Sequence, residues 1–252
     1  MGTVLNCRHR LSGRLENRLT GSRPISHVPP PKRHPYDQWS PDARALDLVG
    51  DKWTLLIVRD LAAGPRRFVE LQRVLPGIST EQLRSRLNRM VADGMLTRKR
   101  YREVPPRVDY ELTERARELM PVLAELARWG YEWAWSAPRP SELVDIGAIF
   151  RLAPGLARGI RAAGTVRCTV DGERPLSYTF TLSEDEVTIA ERDAPAADAV
   201  VSGSDSAWIT AFSPERDRSG LEQTGDAVLA GTLLDALAGA TVGAPTSTRA
   251  AA

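Results

Sequence analysis

The chain has 252 residues, 42% of them hydrophobic and 26% charged. That make-up suits a globular protein rather than a disordered or fibrous one, in one large domain or two ordinary ones. It holds no run of about 18 uncharged apolar residues, which excludes a helical membrane span. Its two cysteines, Cys7 and Cys168, are too few for a disulfide scaffold or a zinc cluster and point to a reducing, cytoplasmic location.

The net charge of +2 hides a partition. Residues 1–40 carry net +5, residues 41–102 net +6, residues 103–140 net −2 and residues 141–252 net −7. Such an asymmetry predicts two modules, the basic one facing a polyanion. Of the 34 basic residues only Lys32, Lys52 and Lys99 are lysines.

Residues 1–36 mix Arg, Ser, Gly and a proline cluster without apolar periodicity, so they read as a disordered basic arm. Asp42 to Gly50 fits a short helix with Pro41 in its first turn. Asp51 to Ala63 fits a second, with Trp53, Leu56, Ile57 and Leu61 on one stripe and Gly64-Pro65 as its stop. Phe68, Leu71 and Leu75 mark a third, stopped by Pro76-Gly77. Ser79 and Gln82 then form a capping box for a helix that runs to Asp93, where Gly94 supplies a left-handed cap. Leu96–Tyr101 and Val108–Leu112 read as strands around a Pro105-Pro106 tip, followed by one long helix from Thr113 to Trp135.

The capped helix carries most of the functional argument. Leu83, Leu87, Met90 and Val91 form an apolar face, and Gln82, Arg84, Ser85, Arg86, Asn88 and Arg89 occupy the front and flanks. Such a front suits the major groove, where these side chains read base edges and flanking arginines meet phosphates. The pattern alone equally fits an ordinary amphipathic surface helix. Its neighbours favour the first reading: a helix and turn precede it, and the hairpin that follows carries Arg98, Lys99, Arg100, Arg102 and Arg107. A basic hairpin of this kind suits the DNA backbone or minor groove.

The stretches Ala45 to Ile57, Gly64 to Phe68, Leu75 to Ser79 and Tyr101 to Thr113 resemble HxlR-type winged-helix transcriptional regulators over about residues 39–130. The resemblance implies a homodimeric bacterial regulator of double-stranded DNA, paired through its first and last helices. Many relatives place a cysteine before the proline that opens the first helix; here Ser40 stands there, so no thiol switch is available at that position. Ala116, where relatives usually have Gly, favours an uninterrupted helix after Thr113.

Val122, Leu126, Trp129 and Trp133 share one helical face, which reads as a dimer or interdomain seam or as a box for stacking a ligand. Prolines at 138 and 140 then break the chain. Residues 141–240 change to strand periodicity: Thr165 to Val170, Leu176 to Leu182, Val187 to Ile189 and Ala199 to Val201 read as a meander, with helices around Ala207–Phe212 and Asp226–Leu237. The expected class is therefore α+β, with a winged helix over 37–137, an antiparallel sheet with helices over 141–240 and a frayed tail over 241–252. The second module's order resembles the sterol-carrier-protein fold. That resemblance implies an apolar tunnel for a hydrophobic small-molecule effector, lined by Phe150, Tyr178, Phe180, Trp208, Phe212, Leu229 and Leu233. The same residues serve equally as plain core, which a domain of this size needs.

Enzymatic readings lack reagents. All three histidines lie in the first 34 residues, and the chain has no phosphate loop, dinucleotide fingerprint or metal-spaced Cys/His set. No cofactor is expected. Glu184 and Glu186 could pair as carboxylates but read as a solvated turn. The leading expectation is a sequence-specific DNA-binding regulator; the alternative is a hydrophobic-ligand carrier whose winged helix serves protein contacts.

Overall fold

The computed structural model describes residues 35–102, 107–173, 175–184, 186–192 and 196–239. The basic arm through residue 34, the tip of the hairpin at 103–106 and the tail from 240 lie outside these residues.

Helix α1 (Pro41–Val49) opens on Ser40, whose hydroxyl accepts the Ala43 N–H at 3.2 Å. Helix α2 covers only Thr54–Asp60, shorter than the expected Asp51–Ala63. The reason is Asp51, whose carboxylate accepts the Trp53 and Thr54 N–H groups at 2.9 and 3.1 Å and so caps the helix instead of joining it. A two-residue strand, β1 (Arg66–Arg67), leads into α3 (Phe68–Val74). Helix α4 (Thr80–Ala92) has the expected capping box: Ser79 Oγ accepts the Gln82 N–H, and Gln82 Oε1 accepts the Ser79 N–H, both at 3.1 Å. Gly94 at φ +70° closes it, with the Met95 N–H donating back to Met90 O at 2.8 Å. Strands β2 (Leu96–Tyr101) and β3 (Arg107–Leu112) pair antiparallel, and β1 joins the far edge of β3 in the order β1-β3-β2.

The expected single helix from Thr113 to Trp135 is two: α5 (Glu114–Arg117) and α6 (Met120–Trp133). Pro121, in the first turn of α6, has no N–H to donate to the carbonyl of Arg117, and its ring would clash there in a continuous helix. That constraint overrides the expectation drawn from Ala116.

Two short helices follow, α7 (Ile146–Phe150) and α8 (Ala153–Leu156). The remaining elements are β4 (Gly164–Asp171), β5 (Leu176–Leu182), β6 (Val187–Ala190), β7 (Ala199–Ser204), α9 (Asp205–Ala211), β8 (Glu222–Gly225) and α10 (Ala227–Leu237). The sheet order is β6-β5-β4-β7-β8. Ala199–Val201 therefore does not continue a meander: β7 runs parallel to β4, with Val166 opposite Ala199 and Cys168 opposite Val201. Asp198 sets this register, exchanging main-chain hydrogen bonds with its neighbours and accepting the Thr165 N–H on its carboxylate at 2.7 Å. Gly225, at φ +80°, lets β8 close on the same point; a Cβ there would lie 2.2 Å from Asp198 O.

Alternation decides which side of this sheet is covered. Val166, Cys168, Tyr178, Phe180, Ile189 and Val201 point inward with Phe150, Trp208, Phe212 and α10 in one buried cluster. Thr165, Arg167, Thr181, Thr188 and Ser202 alternate with them and are not buried. A second cluster, centred on Ile57, Leu71, Leu83, Leu87 and Leu123, fills the winged helix. The described residues nonetheless fall in one compact unit, because α6 and α8 pack closely. Gly155 permits that approach: a Cβ there would meet Met120 O at 2.3 Å.

Candidate nucleic-acid interface

Leu83, Leu87 and Met90 anchor α4 in the core, so the helix cannot roll and its opposite face is fixed outward. Gln82, Arg84, Ser85 and Asn88 are exposed, and Arg86 and Arg89 are half-buried. Gln82, Ser85, Arg86 and Arg89 share one wall of a groove of about 580 Å³ with Glu81; Asp51, Trp53 and Tyr36 form the other side. Arg84 and Asn88 do not line it.

The basic residues divide by what already holds them. Arg84 pairs with Glu81 at 3.2 Å along its own helix. Arg86 is held by Asp51 at 3.0 Å, so the carboxylate that caps α2 also fixes a side chain of α4. Lys99 pairs with Glu111, and that bond raises the pKa of its ammonium above the usual lysine value. Arg107 Nε donates to both oxygens of Asp109 at 2.8 and 2.9 Å while its guanidinium lies over the Tyr101 ring. Asp109 is buried, and hydrogen bonding from Arg107 holds its carboxyl below the ordinary range. By contrast, Arg89, Arg98, Arg100 and Arg102 make no ion pair or side-chain hydrogen bond with another described residue. Arg98 and Arg100 stand on one face of β2, two residues apart, and Lys99 and Tyr101 stand on the other. The hairpin and helix are joined only by the tight turn at Asp93-Gly94, so their basic surfaces are set relative to each other by β2 packing on α4.

Sequence reasoning did not foresee Asp51 and Trp53 at this groove. The signal was present in Asp51 standing three residues before Thr54, the spacing of a capping side chain. It also missed a buried cation outside the interface. Arg151, 1% exposed, lies against Asp60 of α2, which is fully buried, with its Nη2 at 3.1 Å from Asp60 Oδ1. It also pairs with Asp145 and donates to the Tyr178 hydroxyl at 3.0 Å. Burial pushes the Tyr178 phenol up to about 12, so it remains a neutral acceptor. Gly147 makes room for this cluster, since a Cβ there would lie 2.1 Å from the Tyr178 oxygen.

Phe150, Tyr178, Phe180, Trp208, Phe212, Leu229 and Leu233 all belong to the core beneath the five-stranded sheet. Phe150 meets the rings of Tyr178, Phe180, Trp208 and Phe212 edge-on, with centroids 4.9–6.1 Å apart. Trp208 Nε1 donates to Thr169 O at 3.0 Å, which satisfies the one polar atom of that indole. Among the described residues no group of three or more His, Cys, Asp or Glu could hold a metal ion. None of the helices there is long and apolar enough to cross a membrane.

The family model of the HxlR-like helix-turn-helix matches residues 48–137, which span α2, the helix-turn-helix, the hairpin and α6. The chain is 42% identical over 93 residues to the uncharacterized HTH-type transcriptional regulator sll1512 of Synechocystis sp., covering 37% of this chain and 69% of that one. It is 44% identical over 94 residues to the uncharacterized HTH-type transcriptional regulator BH0655 of Halalkalibacterium halodurans, covering 37% and 83%. With YkvN of Bacillus subtilis, another uncharacterized HTH-type transcriptional regulator, the identity is 40% over 88 residues, covering 35% and 75%. The matched segment thus makes up most of each relative and carries the same helix-turn-helix whose outward arginines are described above. The chain belongs to the HxlR-like helix-turn-helix family.

Proposed function

We propose that the protein is a sequence-specific regulator of transcription that binds double-stranded DNA as a homodimer and answers to a hydrophobic small molecule. The observation that carries the reading is a set of cations that make no ion pair or side-chain hydrogen bond among the described residues: Arg89 on α4 and Arg98, Arg100 and Arg102 on the hairpin. Arginines gathered on two neighbouring elements and left free of carboxylates make a positive patch that attracts a polyanion. On this reading α4 enters the major groove, with Arg89, Ser85, Asn88 and Gln82 toward the base edges. Arg86, anchored by Asp51, and Arg84 take flanking positions, and the hairpin arginines reach phosphates or the minor groove. Lys99 and Arg107 are already engaged by carboxylates and contribute less.

The dimer reading is supported by an apolar stripe that no other described element covers. Val122, Leu126, Trp129 and Trp133 lie exposed along α6, the two indoles at 59% and 64%. Trp39 and Leu46, beside and on α1, are exposed as well. A patch of this kind on a regulator is ordinarily buried against a second copy.

Gel-shift titration on DNA from the protein's own promoter region tests the proposal. Affinity should fall with salt by about 0.9 log units per log salt for each phosphate neutralised. Sedimentation should give a dimer that Trp129→Glu converts to monomer. Salt-insensitive or absent binding by the purified dimer would sink the proposal.

A further inference from the structure

The core beneath the five-stranded sheet is filled by its own rings, but a crevice of about 590 Å³ opens beside it. Its walls come from both halves of the chain: the Pro76-Gly77 turn that introduces α4, Trp135 after α6, Leu143 and Ile149 around α7, and Ile209 of α9. We infer that this crevice is a binding site for an apolar small molecule with a cationic or hydrogen-bond-donating end, and that its occupant is coupled to the helix-turn-helix. The proposal rests on the regulator reading for its coupling and on the crevice alone for its ligand.

The polar part of the lining selects the class of ligand. The polar lining residues are Ser136, Ser141, Glu142 and Asp145, and no described lining residue is basic. Arg139 donates to Glu142 and holds its carboxyl below the ordinary range, so it stays ionised at neutral pH. An ammonium or hydroxyl donor finds acceptors here, and a fatty-acid carboxylate finds none of its counter-charges.

Coupling follows from Asp145. The same carboxylate that lines the crevice pairs with Arg151, whose other acidic partner is the fully buried Asp60 on α2. A donor that draws on Asp145 competes with Arg151 and alters what holds α2 in place. The opposite wall, Pro76-Gly77, lies two residues before the Ser79 cap of α4, with Gly77 at φ +81°. An occupant therefore touches the turn before α4 directly and reaches α2 through Asp145 and Arg151. It changes DNA affinity to the extent that it binds the two arrangements unequally.

Three matched probes decide the matter: 4-phenylbutylamine, 4-phenylbutanol and 4-phenylbutyrate, titrated calorimetrically into the full chain without DNA. The amine should bind at least about tenfold tighter than the carboxylate, the size expected for exchanging attraction for repulsion at one partly exposed carboxylate. Leu143→Lys, at an exposed rim position, should cancel or reverse that order, and Ile149→Trp should abolish binding by filling the crevice. Equal affinities, no amine binding, or an unchanged order in Leu143→Lys would overturn the site. The rim variant answers even if Ile149→Trp fails to fold. In gel shifts the amine should move the DNA midpoint of the parent but not of Asp145→Asn; an unmoved parent refutes the coupling. A chain that binds the amine but no DNA refutes the regulator reading and leaves the crevice standing.

Discussion

Arginine does opposite work in the two halves of this molecule. On α4 and the hairpin, Arg89, Arg98, Arg100 and Arg102 make no ion pair or side-chain hydrogen bond with another described residue. Under the sheet, Arg151 is sealed among Asp60, Asp145 and Tyr178. The first set keeps its charge unpaired among the described residues and is available to a polyanion. The second is available to nothing and ties α7 to α2. The planar guanidinium serves both ends because it forks to two acceptors when buried and remains charged when exposed. Net charge separates the halves in the same sense, since the outward arginines fall in the basic segment and Arg151 in the acidic one.

The sharpest way to break that contrast is to remove Arg151. Arg151→Met leaves the fully buried Asp60 to Arg59, which donates to both of its oxygens at 3.1 Å. Taking one buried cation from Asp60, Asp145 and Tyr178 together should cost about 3–5 kcal/mol in urea unfolding. Replacing the carboxylates with it, Asp60→Leu and Asp145→Leu with Arg151→Met, should recover much of the loss, because apolar groups of similar size substitute well for buried ion pairs. Arg100→Ala should leave stability within about 0.5 kcal/mol, as surface changes do. If Arg151→Met is equally silent, the seam between the halves does not depend on this cluster.

Next in size is Arg89→Ala, expected to cost about 1–3 kcal/mol of DNA affinity and to relax preference at one base pair. Arg84→Ala, whose guanidinium is already shared with Glu81, should cost less and change no base preference. Equal losses from both, with no change in base preference, would mean that α4 supplies only diffuse positive charge. Below these comes Ser79→Ala, which removes half of the capping box that starts α4 and should lower stability by about 1 kcal/mol.

That capping box, the Gly94 stop, the two-stranded hairpin and the buried face of α4 were legible in the sequence because each is a local rule acting within a few residues. The α5–α6 break was equally local, written in Pro121, and was masked by the apolar period running through it. What could not be read was long-range. The parallel pairing of β4 with β7 joins residues more than thirty apart, and no short pattern distinguishes it from a meander. Strand β8 reads Glu-Gln-Thr-Gly, all exposed, with no apolar alternation to announce it. Arg151 sits in an apolar stretch as one charge among many, and its partner Asp60 lies 91 residues away. At the candidate interface the sequence places the basic residues on a helix and a hairpin, and both elements form. Which of them are already paired depends on cross-strand and interhelix neighbours, as with Lys99 and Glu111 or Arg86 and Asp51.

The smallest expected effect concerns a buried carboxylate of the hairpin. Asp109 accepts from Arg107 and lies near Arg67 at 3.9 Å, and hydrogen bonding from Arg107 holds its pKa below the unfolded value of about 3.9. The folded state therefore binds a proton less readily than the unfolded state. Asp109 contributes stability at every pH above about 4, and that contribution fades as pH falls through its depressed folded value. Asp109→Asn should be less stable than the parent at pH 7, and the difference should shrink steadily below about pH 4. Urea midpoints of the two chains across that range measure it. A difference that stays constant down to pH 2 would mean that the Asp109 pairing adds no pH-linked stability. The hairpin would then hold its shape through β1 and β2 alone, and its outward arginines would owe nothing to the carboxylate beneath them.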